Sequence, residues 1–520
     1  MRRVLFGLTS FVVLALTVYL GAQSGDGQFK LRMKLVDAET GEAISGIVRV
    51  LADDGRMLEL PGLFARTAGL VKDLPNVHWY CIPASGAETT VPRGKWRIEV
   101  VSGLETKLVS TDLDLREKAP GEITLRLPAL FRPEKDGWVA GNTHLHLRNF
   151  TLEKSDAYLR SIPSADRLRV MFISYLERDK DDLSYITNKY PIGDVPQFAT
   201  TGVLFNNGEE HRNNFKAFGQ GYGHVMFLNI KNLVKPVSIG PGIMNAGFDD
   251  VPLRDGIDDA RKQGGTIIWC HNTNGHEDVP SAVTGRLDAI NVYDGSRTGS
   301  YEENYYRYLN IGLRMPISTG TDWFMYDFSR VYAKVIGKLT IASWLDAVKA
   351  GRCVATNGPM LTLDVNGKSL GDVLDLREPT TVTIRARAIG RHPISRLELI
   401  QNGRIVKTKL AEAKTPGEVE LTHTVRLQEP AWFAVRIESD AKNEFGRTPF
   451  AHSSPVYVKY EGKEVLDVES GQTLLKQVEE GQGIVRAAGH FSTPDARQRV
   501  EKLYEDAARN IRDRINARHN

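Results

Sequence analysis

The chain carries histidines and carboxylates at the ends of successive predicted strands. His144 and His146 close an apolar run that begins at Trp138, and their alternate spacing places both side chains on one face of a strand. Further residues of ligand type follow along the chain, namely Glu210, His224, His271 and Asp322. Imidazole and carboxylate groups in such a set suit Zn²⁺, Mn²⁺ or Fe²⁺. The pattern therefore predicts a site for one or two divalent metal ions.

Together these residues could support hydrolysis. Divalent ions activate water near neutral pH and polarise the bond that is broken, and a carboxylate has two oxygens with which to bridge two ions. We predict Asp322, Glu210 and His271 as catalytic members. Asp322 could orient or deprotonate the attacking water as well as bind metal. A lone histidine on an apolar strand is usually a core residue, so the prediction rests on the ordered series.

Several residues near the predicted site could contact a substrate. Arg330 could clamp an anionic group with two hydrogen bonds, or form a structural ion pair instead. His276 and His211 could each act as a general base or substrate contact, or lie on the surface. Tyr293 closes a predicted strand and could donate a hydrogen bond to an oxyanion, or simply pack.

The elements that must position these residues are strands alternating with helices. Seven strands are predicted, at residues 138–146, 168–174, 202–206, 223–229, 265–271, 289–293 and 315–321. Helices are predicted at residues 253–262, 302–309 and 341–350. Such alternation is typical of a parallel sheet, and in α/β barrels the site lies at the carboxyl ends of the strands. His224 stands at a strand start and does not fit that rule.

Strand-like segments with turns between them flank this central part. Residues 27–131 predict a small β-sandwich, and residues 35–41 resemble the opening of transthyretin-like or carboxypeptidase-regulatory-like modules. Residues 358–460 predict a second β-sandwich. Residues 461–520 form a tail with a helix from residue 493, whose apolar period is Val500, Leu503, Ala507 and Ile511. We expect this helix to pack on the body of the protein.

The first residues predict export. Two arginines precede an apolar run over residues 4–20, and small residues follow it, so residues 1–22 are predicted to be a cleaved signal peptide. The alternative is an uncleaved anchor helix, because the run is nearly long enough to span a bilayer. We expect a periplasmic or extracellular protein that contacts a membrane only if this segment is retained. Three cysteines are too few, and odd in number, for a disulfide framework.

Composition bounds the function. The 520 residues suggest about three to four domains. The formal net charge is only +3, and no basic stripe with interleaved aromatic residues occurs, which excludes a typical nucleic-acid binder. The expected partner is a small-molecule, ester-type substrate.

The ordered motifs resemble those of a known family. They are Asn142-Thr143-His144-Leu145-His146, Gly208-Glu209-Glu210, Gly223-His224-Val225, Cys270-His271-Asn272 and Gly320-Thr321-Asp322. They resemble the motifs of the PHP (polymerase and histidinol phosphatase) superfamily, and residues 347–359 resemble its carbaryl-hydrolase-like (CehA/McbA-type) branch. The resemblance covers residues 136–365. It implies an α/β fold, a distorted seven-stranded β/α barrel over residues 136–357, and a metal-dependent hydrolase.

The chain departs from the family pattern at one predicted pocket. The usual Thr-Asp-His after the second strand, a histidine two residues after Asp322 and a histidine near Asn149 are all missing. In three-metal members these groups build one shared pocket, so we expect no more than two ions. Glu177 or Asp179 could replace part of the pocket or form an exposed salt-bridging loop. The Gly-x-Glu spacing favours Glu210 as the ligand, with Glu209 as the alternative.

We therefore predict an exported metal-dependent hydrolase that cleaves an ester, carbamate or phosphoester bond. The alternatives are a PHP-type phosphoesterase, or a non-catalytic module with a degenerate barrel that binds surface polymers. Arginine is sparse at the strand ends, with Arg148 and Arg212 nearby, whereas Trp323, Phe324 and Tyr326 follow Asp322. This favours a carboxylic or carbamic ester, or a diester, over a phosphomonoester.

Overall fold

The computed structural model describes residues 19–20, 27–70, 78–118, 120–178, 184–215, 221–270, 275–294, 302–412 and 417–517. The chain is a mixed α/β protein whose strands lie mostly in large sheets. Its residues form two compact units. The first holds the residues up to 66 together with 78–102 and 106–129, and the second holds 67–70, 103–105 and the chain from 130 onward. The predicted signal segment, residues 1–22, lies outside the described residues except for residues 19–20.

The described part of the first unit consists of strands. They are β1 (Tyr19–Leu20), β2 (Gln28–Asp37), β3 (Gly46–Leu51), β4 (Phe64–Ala65), β5 (Tyr80–Ile82), β6 (Ala87–Pro92), β7 (Lys95–Val101), β8 (Val109–Asp114) and β9 (Pro120–Leu127). One sheet has the order β1-β9-β2-β6 and the other β4-β5-β3-β7-β8. Alternate residues of β2, beginning at Phe29, are buried, and they share one apolar core with residues of β3 and β7.

The first half of the second unit alternates strands and helices. The strands are β10 (Trp138–Asn142), β11 (Leu145–His146), β12 (Val170–Tyr175), β13 (Gly193–Asp194), β14 (Leu204–Asn213), β15 (Gly223–Leu228), β16 (Ser238–Ile239), β17 (Thr266–Trp269), β18 (Ala289–Asp294), β19 (Ile317–Gly320), β20 (Asp322–Trp323), β21 (Arg330–Lys334) and β22 (Cys353–Thr356). The helices are α1 (Leu152–Ala165), α2 (Pro241–Met244), α3 (Leu253–Lys262), α4 (Asp278–Val283), α5 (Glu302–Asn310) and α6 (Ile341–Lys349). Short 3-10 turns lie at Pro133–Asp136, Ile186–Lys189 and Pro196–Thr201.

The second half holds further strands and two long helices. They are β23 (Met360–Val365), β24 (Val373–Leu376), β25 (Thr380–Ile389), β26 (Arg396–Gln401), β27 (Arg404–Leu410), β28 (Glu418–Leu427), β29 (Ala431–Glu438), β30 (Ala451–Ser453), β31 (Val456–Tyr460), α7 (Val468–Ala488) and α8 (Pro494–Asn516). Strands β23, β25 and β28 form a separate antiparallel sheet, while β30 pairs with β22 and joins the rest to the large sheet.

The sequence predicted a parallel sheet, but the large sheet is parallel only in part. Strands β10, β12 and β14 pair in parallel, and so do β17, β18 and β19. Between these two groups β15 runs antiparallel to both β14 and β17. The connection from β14 to β15, residues 214–222, is shorter than the roughly dozen residues that a parallel crossover needs. The strand therefore turns back on its neighbour as a hairpin.

Local sequence explains where several helices begin. Thr340 and Ser343 exchange hydrogen bonds in a capping box at the start of α6, and Thr493 caps α8 through its side chain. Helix α3 has the predicted bounds, and α5 and α6 differ from prediction by one residue. Helix α7 lies within the predicted tail, but its sequence contains three glycines, which lower helix propensity. Residues of α7 and α8 share the apolar core of the central strands.

Among the described helices, none is both long and apolar enough to cross a bilayer.

Candidate metal centre

Four of the predicted ligands lie together in the second unit. The side chains of His144, His146, Glu210 and Asp322 are buried, and one ligand atom from each lies within 4.8 Å of the others. The Nε2 atom of His146 is 2.8 Å from Oε2 of Glu210 and 2.9 Å from Nε2 of His144. Oδ1 of Asp322 is 3.5 Å from Nε2 of His144 and 3.8 Å from Nε2 of His146. The cluster therefore joins residues from β11, β14, β20 and the turn before β11.

Backbone pairing fixes the relative position of the two ends of this cluster. Strands β11 and β20 pair in parallel over two residues each. The amides of Thr321 and Asp322 both donate to the carbonyl of His144, at 3.0 Å. The side chain of Asn142 accepts from the His144 amide at 3.0 Å and donates to Thr321 Oγ1 at 2.8 Å. These bonds hold the two histidines and Asp322 in register.

The environment of His146 determines which ring nitrogen can bind a cation. Its Nδ1 atom lies 3.0 Å from the carbonyl oxygen of Ser174, which can only accept a hydrogen bond. Burial lowers the pKa of His146, although Glu210 acts in the opposite direction. A neutral His146 thus carries its proton on Nδ1 and directs the lone pair of Nε2 into the cluster.

Glu210 is the hub of the cluster. Its Oε2 faces His146, while its Oε1 lies 3.1 Å from Nδ1 of His224. Nη1 of the buried Arg212 is 3.5 Å from Oε2. Burial alone would raise the pKa of Glu210, but the charge of Arg212 lowers it, and the pKa lies well below its ordinary value. Glu210 is therefore held as a carboxylate with its two oxygens facing different imidazoles.

The antiparallel direction of β15 explains the position of His224. In the β14–β15 ladder His224 is opposite Arg212, so the start of β15 lies at the same edge as the end of β14. Nε2 of His224 lies 3.0 Å from Oδ1 of Asn214. Because Nε2 donates to that oxygen, a neutral His224 directs the lone pair of Nδ1 toward Glu210.

The alternation of β14 separates the two candidate glutamates. Glu209 lies on the opposite face from Glu210, where its Oε1 is 2.9 Å from Nδ1 of His211 and its Oε2 accepts from the Val234 amide at 2.7 Å. The His211 ring stacks on Phe227, with centroids 4.9 Å apart. The structure thus brings Glu210, and not Glu209, into the cluster, and it places His211 in a buried hydrogen bond with Glu209.

The donor set fits a divalent cation. In a neutral His146 the lone pair of Nε2 faces two atoms, Nε2 of His144 and Oε2 of the ionised Glu210. A proton on His144 Nε2 would form a hydrogen bond with His146. It would leave the contact between His146 and Glu210 without a proton. At least one pair of acceptors is therefore directed at each other in a buried place, which is unfavourable without a positive charge between them. Two imidazole nitrogens and two carboxylates are also the ligand types of Zn²⁺ and of Mn²⁺ or Fe²⁺.

The remaining predicted ligands have different outcomes. His271 and Asp179 lie outside the described residues. Glu177 forms an ion pair with Lys235, as expected for a salt-bridging loop.

The predicted substrate contacts lie among other partners. Arg330 is fully buried, with Nη1 3.4 Å from Oε1 of Glu105 and 2.8 Å from the Asp166 carbonyl oxygen. The backbone amide of His276 donates to the Gly221 carbonyl at 2.9 Å, and burial lowers the pKa of the His276 ring.

Tyr293 has an internal partner for its hydroxyl group. The hydroxyl donates to Glu302, and the Tyr293 ring stacks on Phe450 with centroids 4.1 Å apart. Burial raises the pKa of Tyr293 well above its ordinary value. The structure does not bring Arg330, His276 or Tyr293 into the four-residue cluster.

Other residues surround the cluster, and some of them were noted in the sequence as neighbours of the predicted ligands. The ring of Trp323 lies 5.0 Å from that of His146, and Cζ of Arg148 lies 4.7 Å from the Trp323 ring centroid. Ser174 contacts His146 through its backbone carbonyl oxygen, and no pattern of residue types can reveal such a contact. Asn214 directly follows β14, the strand that carries Glu210. Arg212 and Trp323 were noted in the sequence because they lie close to Glu210 and Asp322.

Comparisons with known proteins complete the description of the site. Searches against protein-family models, curated proteins and solved structures find no match to this chain. The resemblance to the PHP superfamily accordingly stays a prediction that rests on the quoted motifs.

Proposed function

We propose that this protein is an exported metal-dependent hydrolase of the PHP type, acting on an ester, carbamate or phosphoester bond of a small molecule. The observation that carries the proposal is the buried convergence of His144, His146, Glu210 and Asp322 within 4.8 Å. Structural zinc sites are usually closed and rich in cysteine. A cluster of histidines and carboxylates beside an arginine is better suited to an ion that takes part in a reaction.

The geometry supports two cation positions that share Glu210. His144, His146, Asp322 and Oε2 of Glu210 would hold one ion. Oε1 of Glu210 and Nδ1 of His224 would hold the other, together with His271 as the sequence predicts. When bound, such ions supply the positive charge that activates water and polarises the bond to be cleaved.

The protein groups around these positions prepare the ligands for binding. Ser174 fixes the His146 ring through Nδ1, and Asn214 fixes His224 through Nε2. Such partners orient a ligand and raise its affinity for metal. Arg212 helps to keep Glu210 ionised. Asp322 is 6% exposed, the most of the four clustered side chains, so it is our candidate for orienting or deprotonating the attacking water.

The strand pairing supports a distorted barrel around the site. Neighbouring strands pair in the order β10–β12–β14–β15–β17–β18–β19. The chain then passes from β19 into β20, and β20 pairs with β11, the strand directly after β10. The two sheets of the first unit around one core support a β-sandwich there. The strands after β22 support the second sandwich that we propose for residues 358–460.

The surroundings of the cluster support a partly apolar substrate. Trp323 stands beside His146, while Arg330 is bound to internal partners and Arg212 lies against Glu210. Arg148 is exposed and lies over Trp323. We therefore favour a carboxylic or carbamic ester, or a diester, over a phosphomonoester, which needs several cationic groups around its oxygens.

A metal-reloading assay tests the proposal. Protein stripped with a chelator is reloaded with Zn²⁺, Mn²⁺ or Fe²⁺ and offered an aryl ester, an aryl carbamate, and aryl phosphate mono- and diesters. We expect turnover only after reloading, with at most two ions per chain. Turnover that survives complete metal removal, or three tightly bound ions, would contradict the proposal. A phosphomonoester preference of about tenfold, roughly 1.4 kcal/mol in the barrier, would overturn the substrate preference.

A pair of neighbouring glutamates supplies matched variants for this assay. Both are buried on β14, but only Glu210 faces the cluster. Glu210→Gln should abolish metal binding and turnover. Glu209→Gln should keep both, because it alters the contacts with His211 and Val234 on the other face.

A further inference from the structure

The ligand Asp322 lies in a segment of unusual backbone conformation. Asp322 and Phe324 have φ values of +54° and +58°, in the left-handed region that residues other than glycine rarely adopt. The amide of Phe324 donates to the carbonyl of His146 at 3.1 Å, so this conformation is coupled to the other end of the cluster. Backbone conformations of this kind persist only where the surrounding structure holds them.

Aromatic residues hold one side of this segment. The Phe324 ring is buried, with its centroid 5.5 Å from Phe150 and 6.1 Å from Tyr158. The hydroxyl oxygen of Tyr158 accepts from the Met325 amide at 2.6 Å. Tyr158 belongs to α1, so the Phe324 ring is packed against a fixed helix.

Gly69 also lies directly against the Phe324 ring. Residues 67–70 cluster with the second unit, although they lie far outside the predicted barrel boundaries of 136–357. A Cβ atom built on Gly69 would stand 2.6 Å from Cδ1 and 2.7 Å from Cζ of Phe324. Those distances are shorter than any real contact of a Cβ atom. Gly69 also has φ of +84°, so both the close approach and the backbone conformation require glycine.

We propose that Gly69 is a positioning residue of the metal centre, acting on Asp322 through Phe324; this inference rests on the proposed function. A side chain at position 69 would displace the Phe324 ring, which is packed against Phe150 and Tyr158. The displacement would then pass to the backbone of residues 322–324. A ligand on this segment would move relative to His146, and metal sites lose affinity when the supporting residues no longer hold their ligands in place.

Calorimetric titration of the full-length, metal-free protein with Zn²⁺ tests this role. We expect Gly69→Ala to weaken Zn²⁺ binding roughly 10-fold, the size of effect seen when support of a ligand is lost. Gly337→Ala is the matched control, since Gly337 has φ of +82° and no atom within 4 Å of an added Cβ. It should show a similar backbone cost in thermal unfolding but bind Zn²⁺ within about twofold of wild type.

Removing part of the Phe324 ring separates positioning from general destabilisation. In a Phe324→Leu background, where the ring no longer meets the added methyl group, Gly69→Ala should cost less than about threefold in Zn²⁺ affinity. An equal cost of Gly69→Ala in both backgrounds, or a cost no larger than that of Gly337→Ala, would overturn the inference while leaving the proposed function intact. A wild-type protein that binds no Zn²⁺, Mn²⁺ or Fe²⁺ would overturn both.

Discussion

Two buried glutamates in the second unit have opposite kinds of surroundings. Glu444 faces donors, with Nε of Arg391 2.5 Å from Oε1 and Nε2 of His392 3.0 Å from Oε2. Burial raises the pKa of Glu444, but Arg391 and His392 lower it below its ordinary range. Glu210 is also held as a carboxylate, yet its oxygens face Nε2 of His146 and Nδ1 of His224, the ring nitrogens that would carry the lone pairs in the neutral rings.

The comparison separates a structural charge from a ligand. Around Glu444 the protein itself supplies the positive charge and the hydrogen-bond donors, so this carboxylate is balanced by its own neighbours. Around Glu210 two imidazole nitrogens converge on the carboxylate oxygens, and Nη1 of Arg212 lies 3.5 Å from Oε2, longer than a typical N–H···O hydrogen bond. A buried carboxylate that faces other acceptors therefore indicates a cation site more strongly than burial or a shifted pKa does.

The largest effect should come from breaking the ion pair between Glu444 and Arg391. Glu444→Gln leaves Arg391 buried without its charged partner, and breaking a buried pair costs about 3–5 kcal/mol in the free energy of unfolding. Urea unfolding followed by circular dichroism measures the loss, while Zn²⁺ affinity should stay unchanged. A variant within about 1 kcal/mol of wild type would show that Glu444 is not a structural charge.

A substitution that removes the carboxylate of Asp322 but still accepts its positive φ should affect metal binding alone. Asn adopts positive φ more readily than most residues, so Asp322→Asn should keep the stability of the metal-free protein. Loss of a ligand should cost more than loss of its support, and we expect Zn²⁺ affinity to fall at least about 100-fold by calorimetry. Unchanged affinity would remove Asp322 from the ligand set.

A smaller effect is expected from the partner of His224. Asn214→Ala removes the oxygen that accepts from His224 Nε2, and the ring would lose its fixed orientation. We expect about a 10-fold loss of affinity for the second ion only. At limiting Zn²⁺ the metal content should fall from two ions per chain toward one. Equal loss at both positions would argue against a second ion position that depends on His224.

A third buried carboxyl group sharpens the comparison by pH. Asp278 accepts from the Val279 amide at 2.6 Å and from the Tyr308 hydroxyl at 3.4 Å, and burial raises its pKa to about 7. The unfolded value is about 3.9, so the folded state keeps the proton longer. The stability associated with this proton is therefore complete below about pH 4 and is lost as the pH rises toward 7.

Asp278→Asn should remove this dependence, because Asn resembles the protonated form. Relative to the variant, wild type should lose about 1 kcal/mol in the free energy of unfolding for each pH unit between 5 and 7. Urea unfolding at pH 5, 6 and 7 measures the difference. A difference that does not change with pH would mean that Asp278 is ionised throughout.

Much of the site follows from residue spacing, because ligands placed on neighbouring strands need only a sheet to bring them together. His144, His146 and Asp322 were predicted in this way. Glu210 was predicted after the end of its strand, but β14 extends to Asn213 and carries it internally. Polar residues in this part of β14 made the sequence resemble a loop, whereas the fold buries them.

What could not be predicted depends on contacts between distant residues. The sequence of β15 gives no sign of its direction, so His224 could not be placed. The contact between Gly69 and Phe324 joins residues more than two hundred positions apart, and no periodicity records it. Arg330 was offered as a substrate clamp or an ion pair, and only its neighbours Glu105 and Asp166 show where it lies.

The two-residue ladder between β11 and β20 has a consequence for how the protein is made. A ribosome releases His144 and His146 long before Asp322, and β14 and β15 emerge in between. The four-ligand cluster can therefore not exist on a nascent chain until residue 322 has left the exit tunnel and reached β11. The proposed metal loading must therefore follow synthesis of all four ligands, and the ion available at the place where folding finishes would be the one that the centre acquires.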